Sequence, residues 1–414
     1  LKLKKEQYLS SGIDILLGGL FAFAISWMIQ PHFRSLGFLT GIIDRPGYRR
    51  SHNVPVPRTG GMAIFISFFV TLLIIDRFVG VTPLPWSWLA VLGGAGLAIL
   101  ALGVGDDRFH IHAEKKLYGQ LLVIVALMLA GERLDTVYLP IIGQLELGGW
   151  AWPITLLWYL GFINSMNLID GLDGLASGIG VVASLCIMVI AIAVSDYYSA
   201  FYASTLCGST LAFMYWNMGR RKIFLGDSGS MWMGLVLAIL LLHVSRQNSV
   251  GLFLLLAPMI APIWDTGTTI IRRYRRRASI FEADDYHLHH RLIRLGFRST
   301  TTVYFLLLLT VGSSLIALSG FIGVPWLGLP ALGCWLAMFF LWTAKRKNVD
   351  SEKSMDFFSE LKFIMGFDDG ASEPRPAHTH VAEIIDLQVE REKVERVMAA
   401  AAGGQPVEVN TEDK

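Results

Sequence analysis

The 414 residues are 53% hydrophobic and only 16% charged, with a mean hydropathy of +0.52. A soluble domain carries roughly a quarter of its residues as charges, so most of this chain faces lipid or other helices. A formal net charge of +2, with no basic tract interleaved with stacking aromatics, is too small to argue for nucleic acid as the partner. Cys186, Cys207 and Cys334 stand far apart inside apolar runs, which gives neither a zinc site nor a disulfide framework.

At the N-terminus Lys2, Lys4 and Lys5 precede an apolar stretch from Ile13 to Ile29. This mimics a signal peptide, but the stretch is long enough to span and reads as a retained first helix. Spanning runs then recur near 60–80, 86–105, 116–131, 150–166, 175–195, 199–216, 229–245, 250–271, 300–321 and 326–344. With the first near 11–30, this predicts an all-α polytopic bundle of about eleven helices, ten being open because several runs are short. No period of 20–50 residues repeats, which argues against a duplicated transporter.

With the N-terminus outside, loops 31–59, 106–116, 167–174, 217–228 and 272–299 are cytoplasmic and hold 5, 3, 0, 3 and 8 basic residues. The segment after residue 344 holds 10, against 6 outside, so positive charge lies inside. The N-terminal lysines sit on the wrong side of this assignment. Nine of the ten histidines fall on the cytoplasmic side. Outside, residues 132–149 have the apolar, Gly-rich pattern of a hairpin. The division predicted is a membrane domain over 1–345 and a tail over 346–414. Within the tail, 354–366 reads as an amphipathic interfacial helix, 381–400 as helical, and the end as disordered.

Polar motifs punctuate the inner ends of the spans. In the first loop, Asp44 through His52 leads into Arg58-Thr-Gly-Gly61. A proline-stiffened positive loop explains most of this, leaving His52 and Arg58 as candidate phosphate contacts. Asp106-Asp107 closes the third span; adjacent acids repel, and a cation or a proton relieves that, although an ordinary polar helix end beside Arg108 is the plainer account. Lys116 opens the fourth span as a phosphate contact or a simple inside anchor.

The richest stretch is Asn164-Ser-Met-Asn167-Leu-Ile-Asp170-Gly-Leu-Asp173-Gly. Polar side chains every three residues place oxygens along one helical face, which is expensive in an apolar protein unless it meets water, a cation or a polar substrate. An Asp-Gly turn explains one pair but not four. Phe224-Leu-Gly-Asp227-Ser-Gly-Ser230 opens the eighth span, either as a plain N-cap or as a phosphate cradle with a magnesium-holding acid. Arg220, Arg221 and Lys222 upstream fit orientation or phosphate attraction equally. Asp284-Asp285-Tyr-His287-Leu-His289-His290-Arg291 suggests a metal site or a sugar and phosphate clamp; the oxygen-rich motifs elsewhere favour magnesium over zinc, and so the clamp.

Together these motifs resemble the polyprenyl-phosphate N-acetylhexosamine-1-phosphate transferase family over roughly residues 10–345. Asp106-Asp107 is similar to its acidic pair, Asn164 to Gly174 to its most specific signature, and Asp227 to its metal-binding position; Asn217 also matches. His287-Leu-His289-His290-Arg291 resembles the GlcNAc branch more than the muramoyl-pentapeptide branch. Arg220-Arg221, where many relatives have Pro-Ala, and the long tail depart from the pattern.

The resemblance implies transfer of a sugar 1-phosphate, GlcNAc being favoured, from a UDP-sugar to polyprenyl phosphate with release of UMP, at a bacterial inner membrane. It implies magnesium, with manganese an alternative, held by Asp227 and Asp107. Asp106, Asp107, Asp170 and Asp173 are the expected catalytic acids, Asp106 or Asp107 taking the lipid phosphate's proton; an Asp nucleophile is the minority mechanism. Asn164, Asn167 and Asn217 would orient the nucleotide, and His287, His289, His290, Arg291, Lys116, Arg58 and His52 would contact sugar and phosphates. A homodimer is left open. The competing readings are a phospho-MurNAc-pentapeptide transferase and a transporter of an anionic solute.

Overall fold

The computed structural model describes residues 2–45, 54–78, 85–139, 143–219, 222–247, 256–277 and 287–321. They form eleven α-helices and two small hairpins. The chain runs α1 (Lys2–Thr40), β1 (Ile43–Asp44), β2 (Val56–Pro57), α2 (Gly60–Phe78), α3 (Trp86–Phe109) and α4 (Ala113–Leu129). It continues with β3 (Thr136–Leu139), β4 (Gly143–Glu146), α5 (Ala151–Ile169), α6 (Leu175–Ala193), α7 (Tyr197–Met218) and α8 (Gly226–Gln247). After these come α9 (Ile260–Arg275), α10 (Leu288–Arg294) and α11 (Ser299–Phe321).

Ten of the predicted spans thus appear as helices, the ninth beginning at Ile260. The eleventh, near 326–344, lies outside the described residues, as do His52, Arg220, Arg221, Cys334, Asp284 to Tyr286, the 345/346 boundary and the tail helices. Two short elements were not foreseen: α10 inside the last large loop, and the pairing of Asp44 with Val56. The hairpin predicted within 132–149 is present, with Thr136 opposite Glu146 and Leu139 opposite Gly143.

Six helices, α1, α2, α3, α6, α8 and α11, contain stretches long and apolar enough to cross a membrane. In α7 the hydropathy is lowered by Ser199, Ser204, Thr205, Ser209 and Thr210, all of which are buried. They bond within the bundle: Ser204 Oγ donates to the Ile15 carbonyl (2.6 Å), and Ser26 Oγ of α1 donates to the Ser209 carbonyl (2.9 Å). Polar groups used this way suit a lipid solvent, where helix association rests on close packing and interhelical hydrogen bonds rather than on the hydrophobic effect.

The core is built around α8, in which every residue from Ser228 to Leu242 is buried. Trp232 is fully buried, with the rings of Phe65 and Phe68 edge-on at 5.5 and 5.4 Å. Trp158 Nε1 donates to the Ala238 carbonyl (3.1 Å) and ties α5 to it. Small residues let backbones touch: a Cβ on Gly61 would lie 2.1 Å from Gly229 Cα, and one on Gly103 would lie 2.4 Å from Ser228 Cα.

The antiparallel run of helices gathers the polar motifs at one end. At the other end Arg246 donates to Glu132 (3.1 Å), while Trp88 Nε1 donates to His243 Nε2 (2.8 Å), tying α8 to α3 and to the end of α4.

Candidate active site

The start of α8 is held by the first loop. Phe224 N donates to the Pro57 carbonyl (2.8 Å), and Gly60 N and Gly61 N donate to the carbonyls of Phe224 and Leu225 (both 3.0 Å). Gly226 then turns the chain at φ +74°, and a Cβ there would sit 2.6 Å from both the Arg58 carbonyl oxygen and Asp107 Oδ2. Only glycine combines that dihedral with that clearance.

The two adjacent acids at the end of α3 do different things. Asp107 is buried, and its carboxylate receives two backbone N–H groups from α8: Asp227 N to Oδ1 (3.0 Å) and Ser228 N to Oδ2 (3.1 Å). It is a cap supplied from another helix, satisfying donors that an α-helix leaves open at its start. Arg58 Nη1 lies 3.7 Å from Asp107 Oδ1, while its Nη2 donates to Asp44 Oδ1 (2.7 Å), so the first loop is stitched to the same point.

Asp106 instead faces Lys116. The ammonium donates to Asp106 Oδ2 (2.8 Å), to Asn167 Oδ1 (3.1 Å) and to Asp227 Oδ2. Oxygens from α3, α5 and α8 therefore converge on one positive charge. Asn167 Nδ2 donates to Ser230 Oγ (3.0 Å), which fixes its amide orientation. Asn164, one turn earlier, is paired with Gln120 of α4 through reciprocal amide bonds of 2.9 and 3.3 Å and joins the helices rather than the ammonium cluster.

The helical strip of four oxygens does not continue as its spacing implied. Helix α5 ends at Ile169, Asp170 is its C-cap, and Asp173 stands on a glycine turn whose Gly174 has φ +80°. The glycines make this turn possible and leave Asp170 beside the cluster. Burial first, then the neighbouring Asp227 and Asp107 carboxylates, push the Asp170 carboxyl up to about 8. Asp173 pairs with Lys222. Asn217 is buried and clips this turn to the entry of α8: its Oδ1 accepts from Gly174 N (2.6 Å) and its Nδ2 donates to the Ile223 carbonyl (3.0 Å).

The histidine segment arrives from the far end of the sequence. His289 is buried against Gly171, where a Cβ would lie 2.2 Å from His289 Nε2. Burial first, then the neighbouring His290, lowers its imidazole to about 3. Its ring lies parallel to that of His287 at 6.0 Å and tilted against His290 at 4.2 Å. His287 and Arg291 are turned onto Asp265, a residue that the sequence reading passed over. The signal was available, since Asp265 is an acid inside an apolar run, and such residues are rarely without purpose.

The structure therefore brings Asp106, Asp107, Asp227, Lys116, Asn167 and Arg58 into one cluster, with Asp170 and His289 joined to it through the 170–174 turn. Asn164 is bonded to Gln120 and Asn217 to Gly174 and Ile223, Asp173 pairs with Lys222, and His52 lies outside the described residues. Fold and site define a polytopic membrane protein with a carboxylate, amide and histidine site at one end of its bundle.

Residues 88–245 match the model of glycosyl transferase family 4. Among curated proteins, the chain is 33% identical over 319 residues to the Bacillus subtilis protein named probable undecaprenyl-phosphate N-acetylglucosaminyl 1-phosphate transferase, covering 76% of this chain and 84% of the relative. It is 31% identical over 368 residues to a decaprenyl-phosphate N-acetylglucosaminephosphotransferase of Mycobacterium tuberculosis, covering 81% and 86% of the two chains. To the undecaprenyl-phosphate alpha-N-acetylglucosaminyl 1-phosphate transferase of Escherichia coli K12 it is 27% identical over 299 residues, covering 69% and 78%. The chain belongs to the glycosyl transferase 4 family of polyprenyl-phosphate N-acetylhexosamine-1-phosphate transferases.

Proposed function

We propose that the protein transfers GlcNAc-1-phosphate from UDP-GlcNAc to a polyprenyl phosphate, releasing UMP, at the cytoplasmic face of a bacterial inner membrane. The observation that carries this reading is the convergence of Asp106, Asp227 and Asn167 on the Lys116 ammonium. A phosphoryl transfer must bring two anions together, and the protein's part is positioning and charge neutralisation. The positive-inside bias supports the orientation, with the N-terminus outside and the C-terminus inside.

In the reaction, an oxygen of the lipid phosphate attacks the phosphorus that bears the sugar. A new P–O bond forms as the bond to the UMP oxygen breaks. Asp106, paired with the Lys116 ammonium, takes the proton of the lipid phosphate. Lys116 stabilises charge on the phosphates, and Asn167 orients them. Asp107 works indirectly, by fixing the backbone from which Asp227 projects. Arg58 carries positive charge from the first loop to the same point.

The donor set fits magnesium. Asp227 presents a hard carboxylate oxygen beside the Asn167 amide oxygen, and magnesium is commonly held by one or two carboxylates plus substrate phosphates. Among the described residues no three His, Cys, Asp or Glu side chains form a closed cation cage, so substrate phosphates would complete the set. Bound there, the ion supplies neutralisation of the donor diphosphate and of the leaving UMP.

The test is UMP release by the purified, detergent-solubilised protein with undecaprenyl phosphate, magnesium and UDP-GlcNAc. UDP-GalNAc and UDP-MurNAc-pentapeptide serve as parallel donors. UMP formed with UDP-GlcNAc only when lipid phosphate and magnesium are both present is the expected result. UMP from another donor alone overturns the sugar assignment, and no UMP from any donor in folded protein overturns the reaction.

A further inference from the structure

Asp265 is 1% exposed and lies within α9, on the same buried side as Ala261, Thr268, Thr269 and Arg272. A buried carboxylate is tolerated only when it is paired and hydrogen-bonded, and this one is. Its Oδ2 lies 3.0 Å from His287 Nδ1, and its Oδ1 accepts from Leu288 N (2.7 Å) and from Arg291 Nη2 (3.0 Å). All three partners belong to the first turn of α10 and the residue before it. The ion pair is closed to water on both sides, Arg291 also being 1% exposed.

A seven-residue helix has little stability of its own. Without an external tie, α10 has no means of holding a ring at a fixed place. Yet His289, within this short helix, is set tightly over Gly171 and next to Asp170, with only 1% of its surface exposed. Both ring nitrogens of His289 are buried without a hydrogen-bond partner among the described residues. Such orphaned groups are rare in folded proteins and ask for a ligand.

We propose that Asp265 is the positioning residue of the histidine segment. By gripping His287, Leu288 and Arg291, it sets the His289 ring against the Asp170–Gly174 turn, where the ring reads an uncharged polar group of the donor, a hydroxyl or an amide. This rests on the reading that the segment meets a nucleotide-sugar. Arg291, turned onto Asp265, is held away from the role of a phosphate clamp. The neutral imidazole suits hydroxyl and amide partners, being able to donate from one nitrogen and accept at the other.

The test uses the full-length protein in detergent with Asp265→Ala and Asp265→Asn. Carbethoxylation by diethyl pyrocarbonate, mapped by mass spectrometry, reports the placement of His287 and His289 without any need for turnover, with exposed His32 as the internal reference. Wild-type His289 is expected to be protected, and in D265A to approach the reactivity of His32. In turnover, kcat/KM for UDP-GlcNAc is expected to fall at least ~30-fold, as for truncating one partner of a buried charge pair. The change should be carried mainly by KM for the donor, with KM for lipid phosphate unmoved. D265N, which retains one acceptor oxygen, should fall between. It also serves as the working variant if D265A loses its thermal transition.

Wild-type protection of His289 and wild-type donor KM in both folded variants overturn the proposal. A fall in kcat with both KM values unchanged also overturns it, because a donor-reading segment must act on donor binding. If wild-type protein releases no UMP while His289 is still exposed by D265A, the anchoring stands and the donor reading falls.

Discussion

Asp107→Asn is the substitution that best separates capping from metal ligation. The wild-type carboxylate receives N–H groups at 3.0 and 3.1 Å from the first residues of α8, and its side chain is wholly enclosed. Asparagine keeps one acceptor but turns an NH2 toward the other N–H. That leaves a buried donor unsatisfied, at about 1–3 kcal/mol. Removing the negative charge from a helix N-terminus costs roughly a further 0.3–2 kcal/mol. About 1–5 kcal/mol of local stability at the start of α8 is therefore at stake, together with loss of the partner that faces Arg58.

The consequence falls on Asp227, whose backbone N–H is one of the two capped groups. A shift of about 1 Å in a reacting constellation can cost roughly 100-fold in rate. D107N is expected to melt at lower temperature in detergent and to release UMP about 100-fold more slowly, while the magnesium concentration for half-maximal rate is unchanged. Asp227→Asn should do the converse, moving the magnesium requirement upward. A D107N protein with a wild-type melting curve and a raised magnesium requirement would refute the capping argument and make Asp107 a ligand.

Gly61→Ala would press a methyl group into Gly229 Cα, 2.1 Å away on a rigid helix; because neither backbone can yield cheaply, the yield of folded protein by size-exclusion chromatography should collapse. Lys116→Met leaves Asp106 and Asp227 without their shared cation, so UMP release should fall by more than ~100-fold and recover in part at high magnesium; a loss indifferent to magnesium would count against the shared site. His289, held near 3 in the fold against an ordinary 6.5, must stay neutral, so the unfolded chain binds the extra proton between those values. The stability this gives is full above about 6.5 and drains as pH falls toward 3, amounting to about 2 kcal/mol lost by pH 5. His289→Gln should flatten that acid limb of the melting temperature between pH 7.5 and 5, and an unchanged limb would show that His289 does not titrate as argued.

Much of the site was legible because its residues cannot hide in an apolar chain. Asp106, Asp107, Asn167, Asp170 and Asp227 all stand at the ends of hydrophobic runs, and a polar group there needs a reason. Their division of labour was not legible. Neighbours on a helix point about 100° apart, so Asp106 and Asp107 had to face different partners, but the partner of Asp107 is 120 positions away in α8. The regular three-residue spacing from Asn164 to Asp173 suggested one continuous helical face, yet the helix ends at Ile169 and a turn closing on Gly174, at φ +80°, replaces the strip. Asp265 was hidden for the opposite reason. It lies within a predicted span, where attention goes to length, and its histidine and arginine partners become visible only when α9 and α10 pack.

The glycines join these observations. In lipid no hydrophobic force drives helix against helix, and close backbone approach at small residues takes its place. Gly61 and Gly103 admit α2 and α3 to within van der Waals touch of Gly229 and Ser228 at the start of α8. That contact is what brings the end of α3 close enough for Asp107 to cap α8 and for Asp106 to share Lys116 with Asp227. Packing and site are thus made by the same few residues, and larger side chains at 61 or 103 would part the acids as well as the helices. The polar motifs supply the chemistry, but the distances between them are set by residues that carry no functional group at all.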